Sequence, residues 1–214
     1  MLGACVIYRR EALAVLAVAG IAAQLAKPLS AHHSGTDAVA GGDGDMVLGA
    51  SDAPITMIDY SSLTCSHCAS FHINTLPDIK KNYIDAGKVR LIYRHFPFDK
   101  PALLAAALAE CAGPDRFFKF LDVLFGTQSS WSRVADPIAA LTSIGRVGGL
   151  QPDAIAACFN DQALLDRILA SRVDGAMEFG VNSTPTFIIN GEKLAGALPY
   201  VQFEEVFERL LSGG

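Results

Sequence analysis

The sequence has little charge and no excess of basic residues. Charged residues make up 18% of the 214 positions, and 17 Lys and Arg stand against 22 Asp and Glu, which gives a formal net charge of -5. Because binding to nucleic-acid phosphates requires a positive surface, this balance argues against a nucleic-acid partner. The hydrophobic fraction of 51% is too high for a disordered chain, and no repeat of the solenoid type is visible. After these exclusions, the sequence indicates a single globular domain that buries its own core.

The sequence also lacks an apolar run long enough for a comfortable membrane span. Arg9 and Arg10 precede the apolar segment 12–23, which is short against the roughly 20 residues that a spanning helix needs. A basic start followed by a short apolar region and small residues is typical of a secretory signal. We expect residues 1–30 to be a signal peptide or, alternatively, an uncleaved N-terminal anchor, and the glycine-rich residues 31–45 to be a flexible linker.

Cysteines are few, and their number fits an oxidising compartment. Cys5 lies in the expected signal segment, which leaves Cys65, Cys68, Cys111 and Cys158. An even number of cysteines in an exported protein suggests disulfides, and three pairings are possible. Cys65 and Cys68 are close enough for a local redox pair, which leaves Cys111 with Cys158 as a structural disulfide. The alternative for these last two is a pair of buried free thiols.

Local patterns predict a mixed sheet with helices on its faces. The predicted strands are 54–60, 89–96 and 186–190, the last followed by a hairpin turn at Asn190-Gly191. The predicted helices are 66–87, kinked at Pro77 and ended by Gly87, a helical block from 101 toward 179, and the C-terminal segment 200–211. The order is β-α-β, a block of helices, then β-β-α, which indicates an α/β fold.

The motif Cys65-Ser66-His67-Cys68 follows the first predicted strand and opens a helix. The positive end of the helix dipole and the unpaired N–H groups there stabilise a thiolate, so we expect Cys65 to be the nucleophile and Cys68 to be more protected. The His67 imidazole can favour the thiolate further. A stabilised reduced form makes the corresponding disulfide a stronger oxidant.

The same residues allow a second hypothesis, a zinc-binding interaction module. Cys65, Cys68 and His72 have the spacing of zinc ligands, and a fourth ligand could come from Cys111 or Cys158. Structural zinc usually shows a second tight cluster of ligands, which this sequence does not offer. We therefore predict no metal site.

Three segments together resemble the bacterial DsbA-like thiol:disulfide oxidoreductases of the thioredoxin superfamily. They are IDYSSLTCSHC at 58–68, RHFPFDKPALLAAALAEC at 94–111 and GVNSTPTFIINGEKLAGAL at 180–198. The resemblance spans about 46–211, and it implies that 46–214 forms a thioredoxin fold. In this fold a mixed central sheet is flanked by helices, with an inserted helical domain at about 99–174.

The resemblance also implies roles for residues of the motif and of the loop before the hairpin. Cys65 would form the mixed disulfide and Cys68 would resolve it. Ser66 and His67 would tune the redox potential, although the most familiar oxidising members have proline in place of Ser66.

Three further residues take their roles from the resemblance. Thr184 would bind an extended substrate peptide through its backbone, next to a cis Pro185. Asp59, six positions before the first motif cysteine, would be a buried acid that exchanges a proton with the second one. The alternative for Asp59 is a solvent-facing strand residue.

These observations predict an extracytoplasmic, periplasmic enzyme that introduces disulfide bonds into reduced, unfolded exported proteins. It would need no cofactor, and a DsbB-like, quinone-linked membrane oxidase would reoxidise it. The alternative within the fold is an isomerase or reductase. Such enzymes commonly dimerise through an added N-terminal domain, whereas only a short linker precedes Met46 here. We therefore expect a monomeric oxidase. A kappa-type glutathione transferase shares the inserted architecture but lacks the Cys-x-x-Cys pair.

Overall fold

The computed structural model describes residues 44–213. The predictions for the signal segment and for most of the linker lie outside these residues. No helix within the described part of the chain is long and apolar enough to cross a membrane.

The strands are β1 Met46–Leu48, β2 Ile55–Ser61, β3 Val89–His95, β4 Thr186–Ile189 and β5 Glu192–Ala195. The helices are α1 Ser66–Asn74, α2 Leu76–Ile79, α3 Lys100–Cys111, α4 Pro114–Gly126, α5 Gln128–Trp131, α6 Pro137–Val147, α7 Pro152–Asn160, α8 Gln162–Phe179 and α9 Tyr200–Leu211. A π-helical segment, Lys80–Ile84, follows α2 directly.

The strands form one mixed sheet in the order β1-β3-β2-β4-β5. Strand β2 runs parallel to β3 and antiparallel to β4, and β1 and β5 are antiparallel edge strands. Because helices cover both faces, β2 and β4 are almost entirely buried, which explains their continuous β-branched and apolar sequence. The predicted fold class, a mixed sheet flanked by helices with a helical block between β3 and β4, is confirmed.

Aspartate side chains begin several helices of the insertion. Asp99, Asp136 and Asp161 each accept a hydrogen bond from the backbone N–H three residues later. This contact satisfies an N–H group that the first helical turn leaves without a partner. Proline in the first turn of α3, α4, α6 and α7 adds a backbone already fixed for helix entry.

The core has separate apolar clusters on the two sides of the sheet and inside the insertion. Phe71, Phe187 and Phe203 pack between the sheet, α1 and α9. On the other face, α8 approaches β2 so closely that a Cβ atom on Gly175 would lie 2.5 Å from the ring of Tyr60. The sheet thus gives β2, and the motif that follows it, a fixed position.

The sequence analysis missed one strand and placed one helix break wrongly. Strand β1 was not predicted, because three residues carry too little pattern to reveal a strand that exists by pairing with β3. The break in the first helix falls at Thr75, between α1 and α2, and not at Pro77. Pro77 instead lies in the first turn of α2, where its missing N–H costs no helical hydrogen bond.

The helical block between β3 and β4 starts at Lys100 and continues to Phe179. Its last helix ends at Phe179 and is capped by Gly180, whose φ of 62° belongs to the left-handed region that closes many helices. The predicted end of the insertion at about 174 stays a prediction. Helix α8 runs through this position without interruption, so no change of secondary structure marks it.

Candidate active site

Cys65 and Cys68 occupy different environments at the start of α1. Cys65 is the N-cap residue, with extended backbone angles (φ -82°, ψ 121°), and its N–H donates to the carbonyl of Ser62 at 3.0 Å. Cys68 lies one turn further along and has no exposed surface, whereas Cys65 is partly exposed. Both thiols are free in the structure, and the cysteine that solvent reaches is the one at the helix start.

The surroundings of Cys65 favour its thiolate. Hydrogen bonding from the Cys68 thiol lowers the pKa of Cys65 to about 5, against the opposing effect of partial burial. The backbone N–H groups of Cys68 and His67 act in the same direction. At neutral pH the first cysteine of the reduced motif is therefore ionised and ready to exchange.

The surroundings of Cys68 favour its neutral thiol. Burial raises the pKa of Cys68 far above the usual range of a thiol, and its hydrogen bond to Cys65 and the nearby Asp59 charge add to this effect. A thiol this protected cannot meet a bulky substrate. The arrangement separates a reactive sulfur at the surface from a sulfur that holds its proton inside.

Asp59 lies beneath the motif on β2 and is 1% exposed, so it does not face solvent. The hydroxyl of Ser61 donates to its Oδ1 at 2.5 Å. Burial raises the pKa of Asp59 to about 7, the Ser61 hydrogen bond opposes this, and the negative charge of Cys65 raises it further. A buried carboxyl with this pKa can gain or lose a proton under physiological conditions.

The loop before β4 lies against the nucleophile. The Thr184–Pro185 peptide bond is cis. In its protonated form the Cys65 thiol donates to the Thr184 carbonyl, with an Sγ–O distance of 3.4 Å. The loop thereby brings backbone hydrogen-bonding groups next to the sulfur that would carry a substrate.

The two residues between the cysteines are exposed on the outside of the first helical turn. The contribution of His67 to the thiolate comes through its backbone N–H. The predicted tuning by the Ser66 and His67 side chains stays a prediction.

The candidate zinc ligands outside the motif have other partners. His72 is buried, and its Nε2 lies 2.7 Å from Asp122 Oδ1. Cys111 and Cys158 form a disulfide with each other, which joins the end of α3 to α7 with a Cα–Cα distance of 6.3 Å. Among residues 44–213, no group of three or more His, Cys, Asp or Glu side chains is arranged to hold a metal ion.

Two contacts between the insertion and the active-site loop were missed by the sequence analysis. The Thr64 hydroxyl donates to Asp99 Oδ2 at 2.9 Å, and the Gln128 side chain donates to the carbonyls of Leu63 and Cys65. Asp99 precedes a helix start and could have been found as an N-cap. Gln128 carries no local signal, because its partners lie more than 60 positions earlier in the chain.

Comparison with known proteins gives consistent matches. The family model described as Thioredoxin matches residues 42–209. A putative protein-disulfide oxidoreductase of Rickettsia bellii is 35% identical over 152 residues, 70% of this chain and 58% of the relative. Disulfide bond formation protein D of Bacillus subtilis is 26% identical over 195 residues, 85% of each chain.

A solved structure matches over a larger share of its own length. Alpha-DsbA1 of Wolbachia pipientis is 33% identical and superimposes with a TM-score of 0.79, covering 84% of this chain and 97% of that one. The chain thus spans nearly all of this structure but little more than half the length of the rickettsial relatives.

Proposed function

This chain belongs to the DsbA-like thiol:disulfide oxidoreductases of the thioredoxin superfamily, and from that premise we propose that it introduces disulfide bonds into reduced proteins outside the cytoplasm. The observation that carries the proposal is the opposite effect of the fold on the two motif thiols. The pKa of Cys65 is lowered to about 5, and that of Cys68 is raised. A cysteine with a low pKa is a good leaving group, so a disulfide at Cys65 is readily transferred to another thiol.

The reaction begins with the Cys65–Cys68 disulfide. A substrate thiolate attacks Cys65 Sγ, a new substrate–Cys65 bond forms, and the Cys65–Cys68 bond breaks with its electron pair on Cys68. A second substrate thiolate then attacks the substrate sulfur of the mixed disulfide and releases Cys65 as a thiolate. The substrate leaves with one disulfide, and the enzyme has gained two electrons.

Asp59 would supply the proton that this sequence needs. When the internal disulfide opens, Cys68 becomes a buried thiolate, which its apolar surroundings make unfavourable. A neutral Asp59 carboxyl can give its proton to Cys68 and take it back during reoxidation. A pKa near neutrality makes both directions accessible.

Thr184 and Pro185 would hold the substrate chain. Both residues are largely buried. An extended peptide would pair with backbone groups of their loop as if it were an added strand. Because the Thr184 carbonyl lies 3.4 Å from Cys65 Sγ, a peptide paired there would bring its own cysteine to the nucleophile. The two residues are therefore the proposed substrate-binding site.

The partners and location follow from the same proposal. The substrates would be reduced, unfolded exported proteins, and a DsbB-like, quinone-linked membrane oxidase would accept the two electrons. The enzyme would act as a monomer in the periplasm, with residues 1–30 as signal peptide or anchor and residues 31–45 as linker. The names of the relatives, which refer to disulfide oxidoreduction and disulfide bond formation, support this assignment.

The redox potential of the purified protein tests the oxidase proposal. We expect equilibration with glutathione to give a potential of about -200 to -120 mV, well above the roughly -270 mV of a thioredoxin-like reductant. A value near the thioredoxin figure would contradict the proposal. Refolding of scrambled ribonuclease would then identify the alternative, an isomerase or reductase.

Variants separate the roles of the two motif cysteines. Oxidation of a reduced model peptide should disappear in Cys65→Ser, and Cys68→Ser should accumulate a mixed disulfide between Cys65 and the peptide. Gln202→Ala, at an exposed position on α9, is the control and should retain activity. Trapping on any other cysteine, identified by peptide mass, would refute the assignment of Cys65.

A further inference from the structure

The side chain of Gln128 connects the helical insertion to the active-site loop. Its Nε2 donates to the carbonyl of Leu63 at 2.8 Å and to the carbonyl of Cys65 at 3.0 Å. A primary amide nitrogen carries two hydrogens, so both are used on the backbone that flanks Thr64. A single side chain thus fixes the loop on both sides of the residue that precedes the nucleophile.

The insertion holds Gln128 in this position through its neighbours on α5. The Thr127 hydroxyl donates to the Val123 carbonyl at 2.7 Å. Trp131 is completely buried, and its Nε1 donates to the Leu124 carbonyl at 2.8 Å. These contacts anchor α5 to the end of α4, so the amide reaches the loop from a rigid support.

A hydrogen bond to the Cys65 carbonyl can change the orientation of the Cys65 thiol. It also accepts the first hydrogen bond of α1, from the N–H of Ala69 at 3.1 Å. Its orientation determines the backbone angle ψ at the N-cap, and with it the direction of the thiol relative to the helix N–H groups and the Thr184 carbonyl.

We propose that Gln128 is a positioning residue, which holds the carbonyls of Leu63 and Cys65 from the helical insertion and so orients the Cys65 thiol for disulfide exchange. The proposal rests on the proposed function, because that function makes Cys65 the exchanging sulfur. It assigns the insertion a part in the chemistry in addition to covering the sheet. A Gln128 that only docks the insertion would affect stability and leave Cys65 unchanged.

The test uses Gln128→Met, which keeps the length and volume of the side chain but removes both donors. Gln128→Glu is the second variant, because its carboxylate cannot donate and adds negative charge. Gln202→Ala, at an exposed position on α9, is the control. The rate of alkylation of Cys65 by iodoacetamide is measured against pH in the full-length reduced protein, with the modified peptide identified by mass.

In Gln128→Met we expect the pKa of Cys65 to rise by about 0.5 to 1 pH unit, which slows alkylation below the pKa about three- to tenfold. Gln128→Glu should shift it further, and Gln202→Ala should match the wild type. If one Gln128 variant fails to fold by circular dichroism, the other decides.

An unchanged alkylation profile in folded Gln128→Met and Gln128→Glu would overturn the proposal, even with a lowered melting temperature. This outcome leaves the proposed function intact, because the wild-type thiol would still be activated. An ordinary thiol pKa near 8.5 in the wild type itself would instead overturn the proposed function, and with it the role of Gln128.

Discussion

Asp59 gives the sharpest stability prediction, because its charge is disfavoured by burial. Its pKa is raised from 3.8 to about 7, so the folded protein holds a proton that the unfolded chain releases in this range. Below the unfolded pKa of 3.8, Asp59 is protonated in both the folded and the unfolded protein, and its contribution to the free energy of unfolding is fully present. This contribution is lost as pH rises through the folded pKa of about 7. The whole loss is about 4 kcal/mol, since each pH unit between the two pKa values corresponds to about 1.4 kcal/mol.

The measurement is urea unfolding of the reduced protein at about pH 5 and about pH 8, where Asp59 should account for about 2.5 kcal/mol of lost stability. Asp59→Asn cannot ionise and should not show this part of the loss. Comparing the pH difference in the variant with that in the wild type cancels the titration of groups that do not interact with Asp59. It also cancels any constant effect of the buried amide. Asp52→Asn, at an exposed position, should behave as the wild type.

A variant that loses as much stability between the two pH values as the wild type would refute the buried, protonated Asp59. The oxidised protein provides a further check. The Cys65 charge contributes to the raised pKa of Asp59, and this charge is absent once Cys65 and Cys68 form a disulfide. The effect of Asp59→Asn should therefore be smaller in the oxidised form, and an equal or larger effect would contradict the coupling.

Three more predictions follow from particular contacts. Replacing the Cys111–Cys158 disulfide by two alanines should cost about 4 kcal/mol in urea unfolding, because the bridge closes a long loop in the unfolded chain; a loss below about 1 kcal/mol would contradict this account. Gly175→Ala should cost about 2 kcal/mol, since its methyl group would overlap the tyrosine ring of β2; an unchanged thermal melt would refute the close approach. His67→Pro, which lacks the backbone N–H, should slow alkylation of the nucleophilic thiol below neutral pH more than His67→Ala, which keeps that N–H; equal effects would refute the backbone contribution.

Features that depend on neighbouring residues were predicted well from the sequence. The β-branched run at 55–61 and the motif directly after it were enough to predict a strand followed by Cys65 at a helix start. Each of these follows from a short segment with its own periodicity or capping chemistry.

Apart from the Cys111–Cys158 disulfide, which the cysteine count suggested, features that depend on contacts far apart in the chain were not predicted from the residues. Strand β1 exists because Met46–Leu48 pairs with β3, more than 40 positions later. The helix break falls at Thr75, and a local proline rule gave the wrong position. The approach of Thr184 to Cys65 is also long-range, and only the family resemblance indicated it.

The difference between the two motif cysteines is itself a product of long-range packing. In sequence they are the same residue three positions apart, and the helix start alone favours Cys65 only modestly. Cys68 keeps its proton because it belongs to an apolar cluster with insertion residues such as Leu104, Leu108 and Trp131. The helix that carries Trp131 also carries Gln128, which holds the Cys65 carbonyl. The insertion therefore contributes both to the low pKa of Cys65 and to the high pKa of Cys68. A change that loosens the packing of the insertion should reduce the difference between these two pKa values before the sheet unfolds.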